Sequence, residues 1–357
     1  MSATEPTSDT ELAASLLSAA DQGRTIRLGD APIDAEVRIS TRSMTRILRY
    51  EPRDLTISVE AGVKFWDLSR QLASDGLMLP LDPPWFDSVT LGGLVAANLS
   101  GPRRRLYGTA RDLVIGMRFA TVDGALVDTG GMVVKNVAGL DMAKLMIGSF
   151  GTLAAIASVN CKLIPLPKQS RTILFEYDSA REAFAQRDRI LKSILPVASL
   201  DVLNPQAAAR CGCARAWVIA LRAVTAVERY SAEFPGGRDV ECDAFWTSVR
   251  EFTPSFLSEY PEAVVTRYST THTALGGLME ALEGPAVARA ASGVLYGYQT
   301  EPASGGGPQT GTRVVEYAPA GVERWPSPDA SLAVMQRVKQ MLDPKGVLNP
   351  GALYGRI

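Results

Sequence analysis

Residues 80–167 read PLDPPWFDSVTLGGLVAANLSGPRRRLYGTARDLVIGMRFATVDGALVDTGGMVVKNVAGLDMAKLMIGSFGTLAAIASVNCKLIPLP, and this stretch decides the fold. Glycines cluster in it at Gly92 and Gly93, Gly101, Gly108, Gly130 and Gly131, Gly139, Gly148 and Gly151, with short apolar runs between them. Glycine reaches positive φ and lets another group come close to the main chain. Several such loops in one domain suit a ligand held mainly by main-chain amides. Asp123 and Gly124, flanked by apolar runs at 117–122 and 125–128, predict a tight hairpin with both central residues at positive φ. Residues 141–146 read as a short helix, 148–151 as a break and 152–164 as a long strand, and the Pro165-Leu166-Pro167 run marks a boundary.

Toward the N-terminus, 9–20 reads as an amphipathic helix with Leu12, Leu16 and Leu17 on one face, followed by short strands at 24–28 and 36–40. Residues 55–60 (LTISVE) alternate as a strand, and Phe65, Leu68 and Leu72 form a helical stripe that Asp75 and Gly76 stop before a short strand at 77–79. Toward the C-terminus, 180–194 reads as a helix, 215–223 as a buried strand, 302–308 (PASGGGP) as a linker and 331–342 as an amphipathic helix. The turn-rich tail DPKGVLNPG follows at 343–351. Together these elements predict an α+β protein.

The chain has 357 residues, 46% hydrophobic and 21% charged, which predicts two or three soluble globular domains. Its formal net charge of −1 gives no general drive toward nucleic acid. The basic run Arg103-Arg104-Arg105 reads either as a solvated loop or as a contact with a phosphate or a partner subunit. The first residues lack a basic segment followed by an apolar core, and no apolar run is long enough to span a bilayer, so the expected location is cytoplasmic or peripheral through a partner. Cys161, Cys211, Cys213 and Cys242 fit neither a redox pair nor a metal set, so they are expected to be reduced. No GxGxxG follows an opening strand, which disfavours a dinucleotide-binding Rossmann domain.

As an ordered set, the glycine loops and the closing NPG resemble the flavin-binding domain of the vanillyl-alcohol oxidase (PCMH-type) superfamily, and within it the E-subunit family of bacterial glycolate oxidases. The resemblance implies a two-lobed FAD-binding domain at 1–168, a smaller α+β cap domain at 169–315, and a C-terminal segment, 316–357, that returns to the flavin domain. It implies noncovalent FAD beside Pro83, the TLGG turn of Thr90, Leu91, Gly92 and Gly93, and Asn98. Gly101, Tyr107 and Gly108 match the next loop, near the flavin ring. Asn136 matches the KN of a KN..GYD pattern, here KNVAGLD. Gly148, Gly151, Thr152 and Ile156 match the segment beside the adenine half, and Asn349 matches a residue that returns to the isoalloxazine. The implied partners are a larger flavin D-type subunit and an iron–sulfur F-type subunit.

The chain departs from the family at 29–35 (GDAPIDA), where members carry a longer Gly-Gly loop around the pyrophosphate. Pro32 has no amide hydrogen, and Asp30 and Asp34 are expected to repel a phosphate. The single histidine, His272, matches no catalytic motif, so no catalytic residue or metal site is assigned. A 2-hydroxy-acid oxidase needs a base for the hydroxyl proton. The expected role is therefore a companion subunit that assists glycolate oxidation and is inactive alone. The alternatives are a flavin-free structural subunit of the same complex and an independent FAD-linked oxidase of another substrate.

Overall fold

The structure, a computed structural model, describes residues 2–132, 141–302 and 311–357. By internal contacts the chain divides into two units, one of Met1–Ser100, Gly108–Leu166 and Ser327–Ile357, the other of Gly101–Tyr107 and Pro167–Pro326.

The first unit opens with a parallel sheet in which Val37–Ile39 lies between Ser2–Thr4 and Ile26–Leu28. Helix Asp9–Asp21 contributes Leu12 and Leu16, both fully buried, to the same core as Ile26 and Ile39, and Ser8 caps it by accepting from the Glu11 N–H at 3.2 Å. Leu17, expected on the buried face, is 38% exposed. It lies against the turn at Gly124, where an added Cβ would meet it at 3.2 Å.

An antiparallel sheet follows, ordered Ile47–Glu51, Thr56–Glu60, Ala155–Lys162, Val114–Ala120, Leu126–Gly130. Phe65 and Leu68 of helix Phe65–Ser74 and Leu91, Leu94 and Val95 of helix Leu91–Ala97 share a core with Val59, Val159 and Phe119 of the sheet. The hairpin at 121–125 corrects its expectation. Only Gly124 has positive φ, +78°. Asp123 instead accepts from the Ala125 N–H and the Thr121 hydroxyl, and the Gly124 N–H reaches Thr121 O at 3.0 Å. A three-residue loop closed by one left-handed glycine replaces the two-residue turn. Helix Leu91–Ala97 is a second correction. Two glycines in seven residues give poor helix propensity, and the Thr90 cap and the fully buried Leu91, Leu94 and Val95 override it.

The second unit is built on an antiparallel sheet. Among the described residues its order is Arg238–Val240, Arg171–Tyr177, Trp217–Ala223, Val197–Leu203, Ala286–Arg289, Val294–Gln299, Val264–Ser269, Thr312–Tyr317. Alternation buries both faces. Ile219, Leu221, Leu200 and Ala288 pack with helices Ala180–Lys192 and Leu275–Glu280. Val218, Ala220, Leu203 and Val287 pack with Trp246 of helix Cys242–Arg250 and Phe252 and Phe256 of helix Phe252–Glu259. The short helix Arg104–Tyr107 contacts strand Val197–Leu203.

Candidate functional site

The TLGG motif starts helix Leu91–Ala97, with Thr90 Oγ1 accepting from the Gly93 N–H at 3.2 Å. The Leu91 N–H goes to Val63 O at 2.9 Å and the Gly92 N–H to Ala61 O at 2.8 Å. These three amides are thus engaged by the protein itself, and the two glycines keep ordinary helical φ. Gly92 is required by a close approach, because an added Cβ would lie 2.6 Å from Ala61 Cβ. A Cβ added at Gly93 would meet, among the described residues outside its own helix backbone, only Thr90 Oγ1, at 3.2 Å, so its outer side is open there.

The C-terminus of this helix meets the 148–151 turn. The Gly148 N–H donates to Val95 O at 3.1 Å and the Phe150 N–H to Ala96 O at 2.9 Å. Asn98 closes the helix in the left-handed region at φ +50°. Its Oδ1 is buried without a partner among the described residues. A Cβ on Gly148 would lie 3.5 Å from Asn98 Cβ. Asn349, 1% exposed, joins the same turn. Its Nδ2 donates to Phe150 O at 2.6 Å and its Oδ1 accepts from the Leu28 N–H at 2.8 Å. A Cβ on Gly151 would lie 2.8 Å from Asn349 Nδ2. Asn349 therefore staples three chain segments, and both ends of its amide are occupied by main chain. Thr152, fully buried, donates its hydroxyl to Ser149 O at 2.7 Å and presents its own carbonyl to Lys339 Nζ at 2.8 Å. Ile156 sits in the adjoining strand opposite Phe119.

Left-handed non-glycine residues concentrate here. Asp82 (φ +51°), Trp85 (φ +53°), Asn98, Phe150 (φ +54°) and Asn349 (φ +39°) all belong to these loops, and an aromatic residue in that region is a strained choice. Pro83 is buried between the first two. Gly108 (φ +81°) serves the next helix, because a Cβ would lie 2.5 Å from the Asp112 carboxylate that caps it through the Thr109 N–H. Gly101 and Tyr107 fall in the second unit. Asn136 lies outside the described residues.

In the 29–35 loop the Asp30 carboxylate has two cationic partners. The Asp30 carboxylate accepts from Arg38 Nη2 at 2.6 Å and Arg42 Nη2 at 2.5 Å. Burial alone would raise the carboxyl, but these two guanidiniums hold it lowered. Arg42 also lines a concavity of about 160 Å³ with Thr45, Gly62, Lys64, Asp67 and Thr90. A larger one of about 300 Å³ lies over the antiparallel sheet, and its charges are paired: Arg46 with Glu60, and Arg118 with both Asp9 and Asp128.

In the second unit the structure shows residues that the sequence reading missed. Arg222, 3% exposed, stacks its guanidinium 4.7 Å from the Trp246 ring centroid. Arg289, 9% exposed, is paired with the buried Asp201. Arg267 bonds Glu316 at 2.7 Å. Burial, with Glu316 nearby, pushes the Tyr296 phenol up to about 12, while Arg289, Arg267 and Arg104 act in the opposite sense. The available signal was an arginine at an inward position of an otherwise apolar strand, as in WVIALRA and AVAR.

A family profile described as "FAD binding domain" matches residues 5–130, and one described as "FAD linked oxidases, C-terminal domain" matches residues 326–353. Among solved structures, an alkyldihydroxyacetonephosphate synthase superposes with TM-score 0.72 at 16% identity, over 98% of this chain and 75% of that one. The class is thus an FAD-linked oxidoreductase on the PCMH-type flavin fold. Glycolate oxidase subunit GlcE of Escherichia coli is 30% identical over 339 residues, 89% of this chain and 87% of that protein. Glycolate oxidase subunit GlcD of Bacillus subtilis is 35% identical over 178 residues, 49% of this chain and 37% of that protein. The chain belongs to the family of GlcE, and its cofactor is FAD.

The residues present fit that cofactor. The Asn98 acceptor, without a partner among the described residues, suits a ligand that brings a donor, and FAD carries ribityl hydroxyls and a ring N–H. The open side of Gly93 and the basic rim of Arg42 and Lys64 suit its phosphates.

Proposed function

We propose that this chain is the FAD-binding subunit of a glycolate oxidase-type complex and assists oxidation of glycolate to glyoxylate. The observation that carries the reading is the buried Asn98 Oδ1, without a partner among the described residues, set beside the 148–151 turn that Asn349 ties to Leu28. Bound FAD supplies the two-electron acceptor. Asn98 accepts from it, Gly93 and Gly148 leave room for it, and Asn349 and Thr152 hold the surrounding turns. On the second unit, Arg267 and Arg289, paired with Glu316 and Asp201, and Arg222, over Trp246, offer guanidiniums for which a substrate carboxylate competes. Attachment is noncovalent. The Cys161 thiol is fully buried and pushed up to about 12, and His272 is exposed in the second unit with its carbonyl bonded to Arg187. A larger flavin D-type subunit and an iron–sulfur F-type subunit complete the complex, and the chain alone does not turn over glycolate.

The visible spectrum of the purified chain tests this. A flavin absorbance that acid precipitation releases into the supernatant is expected, as is glycolate turnover only after the partner subunits are added. A colourless protein that does not quench flavin fluorescence would favour a flavin-free structural subunit. Robust turnover by the pure chain would favour an independent oxidase.

A further inference from the structure

The family's glycine loop around the pyrophosphate is shortened here, and several of the donors left nearby are already engaged. The Gly29 N–H goes to Ile39 O at 2.9 Å, Pro32 has no N–H, and the Leu91, Gly92 and Gly93 amides are bonded within the protein. With fewer free amides, a phosphate in this region draws on side-chain donors as well. Two lie in position. Asp30 bridges Arg38 and Arg42 with one oxygen to each, an arrangement that a phosphate oxygen pair reproduces with more charge.

Resting on the FAD-binding reading, we propose that Arg38 and Arg42 are the side-chain ligands of the cofactor pyrophosphate, and that Asp30 is a placeholder that keeps the two guanidiniums aimed until the phosphate displaces it. The main chain carrying Arg42 is fixed. Its 3-10 turn, Thr41–Ser43, presses on Gly62, where an added Cβ would lie 2.0 Å from Thr41 O, and the Gly62 N–H donates to Met44 O at 2.9 Å. Arg42 shares its concavity with Lys64 and with Thr90, the cap of the TLGG helix, so it borders the loops already assigned to the cofactor, and Asp30 links Arg38 to it. Arg38, Arg42 and Lys64 against Asp30 and Asp67 leave the cluster one positive charge in excess. The Asp30 side chain is 58% exposed and that of Arg42 49%, so the resting ion pairs are weak and easily exchanged.

The test is titration of apoprotein with FAD, read by flavin fluorescence at low salt, with inorganic pyrophosphate as competitor. Arg42→Ala and Arg38→Ala should each weaken FAD binding about 10- to 100-fold, the worth of one charge-assisted hydrogen bond. Arg49→Ala, which removes an exposed arginine paired with Glu51, should change it less than twofold. Asp30→Ala should tighten FAD, and the gain should vanish in Asp30→Ala/Arg42→Ala. Pyrophosphate should compete in the wild type and not in Arg42→Ala. Melting temperatures establish that each variant is folded, and Asp30→Ala tests the idea even if an arginine variant is not. Wild-type-like affinity in both arginine variants overturns the proposal and leaves the flavoprotein reading intact, as does an equal loss in Arg49→Ala. A wild type that binds neither FAD nor pyrophosphate overturns both.

Discussion

Two clusters of buried polar groups, one in each unit, are built in different ways. In the first, long side chains are stitched to main chain. Lys339 Nζ reaches Thr152 O at 2.8 Å, Leu348 O at 2.7 Å and the Asp343 carboxylate at 2.6 Å, and the Asn349 amide is consumed by Leu28 and Phe150. In the second, charge meets charge or an aromatic face, as in Arg289 with Asp201, Arg267 with Glu316 and Arg222 over Trp246. Main-chain stitches fix the shape of loops and offer little charge to a ligand. Side-chain pairs keep charges that a ligand can compete for. The first arrangement suits a cofactor that stays, the second a small anion that comes and goes.

The largest expected effect breaks a side-chain pair. Asp201→Ala strands the buried Arg289 guanidinium and should cost about 3–5 kcal/mol in urea unfolding, whereas Asp201→Leu/Arg289→Met should recover most of that. A single-variant cost below about 1 kcal/mol would show that the pair is not the organising contact. Next comes the main-chain staple. Asn349→Ala removes the bonds to the Leu28 N–H and the Phe150 carbonyl, for about 2–4 kcal/mol and a loss of bound flavin. Asn349→Asp should fall between, because it keeps the acceptor and loses the donor.

The glycines of TLGG sharpen the contrast within the first unit. Gly92→Ala drives a Cβ into Ala61 and should destabilise by about 1–3 kcal/mol. Gly93→Ala meets only Thr90 Oγ1 and gains helix propensity, so unfolding should shift by less than about 1 kcal/mol, with any loss appearing in flavin affinity. Equal unfolding costs at both positions would contradict the assigned packing. The smallest effect is at the edge of the second unit. A hydrogen bond from Arg171 holds the exposed Asp239 carboxyl lowered, against burial that raises it. A depressed folded value means that its contribution is present above the ordinary 3.8 and is lost as pH falls through the folded value. Hydrogen exchange along Arg238–Val240 should quicken over that acid range in the wild type, and the Asp239→Asn variant should lack the acid step.

Much of the first unit was legible in the chain because its signals are local. The Phe65, Leu68 and Leu72 stripe, the alternation at 56–60 and the helix Ser331–Leu342 each carry their own period. Helix Leu91–Ala97 was hidden, since its stability comes from a cap and tertiary burial rather than from its residues' propensities. The segments that the Asn349 amide joins, 321 and 199 residues away in sequence, could not be read from any window. The partners of Asp30 were not legible because Arg38 is set by the parallel pairing of Ile26–Leu28 with Val37–Ile39 and Arg42 by the Thr41–Ser43 turn. The second unit was poorly legible for the same reason, since its arginines acquire meaning only when several strands are laid side by side.

The C-terminal contacts of the first sheet carry a consequence for the living chain. The Ile26 N–H donates to Val347 O at 2.8 Å, the Asn349 N–H to Ile26 O at 2.8 Å, and Ile26 bridges Leu348 in parallel. A ribosome releases residue 26 long before residue 347. Throughout that interval the strand Ile26–Leu28 has an open edge, while the residues of the second unit are made in between. An open strand edge is a template for other chains, so the nascent protein passes through a sticky period that ends only when its last helix and tail arrive. A stalled or clipped chain lacking the last dozen residues would keep that edge open permanently, and we expect it to be found among aggregates rather than among folded, colourless protein.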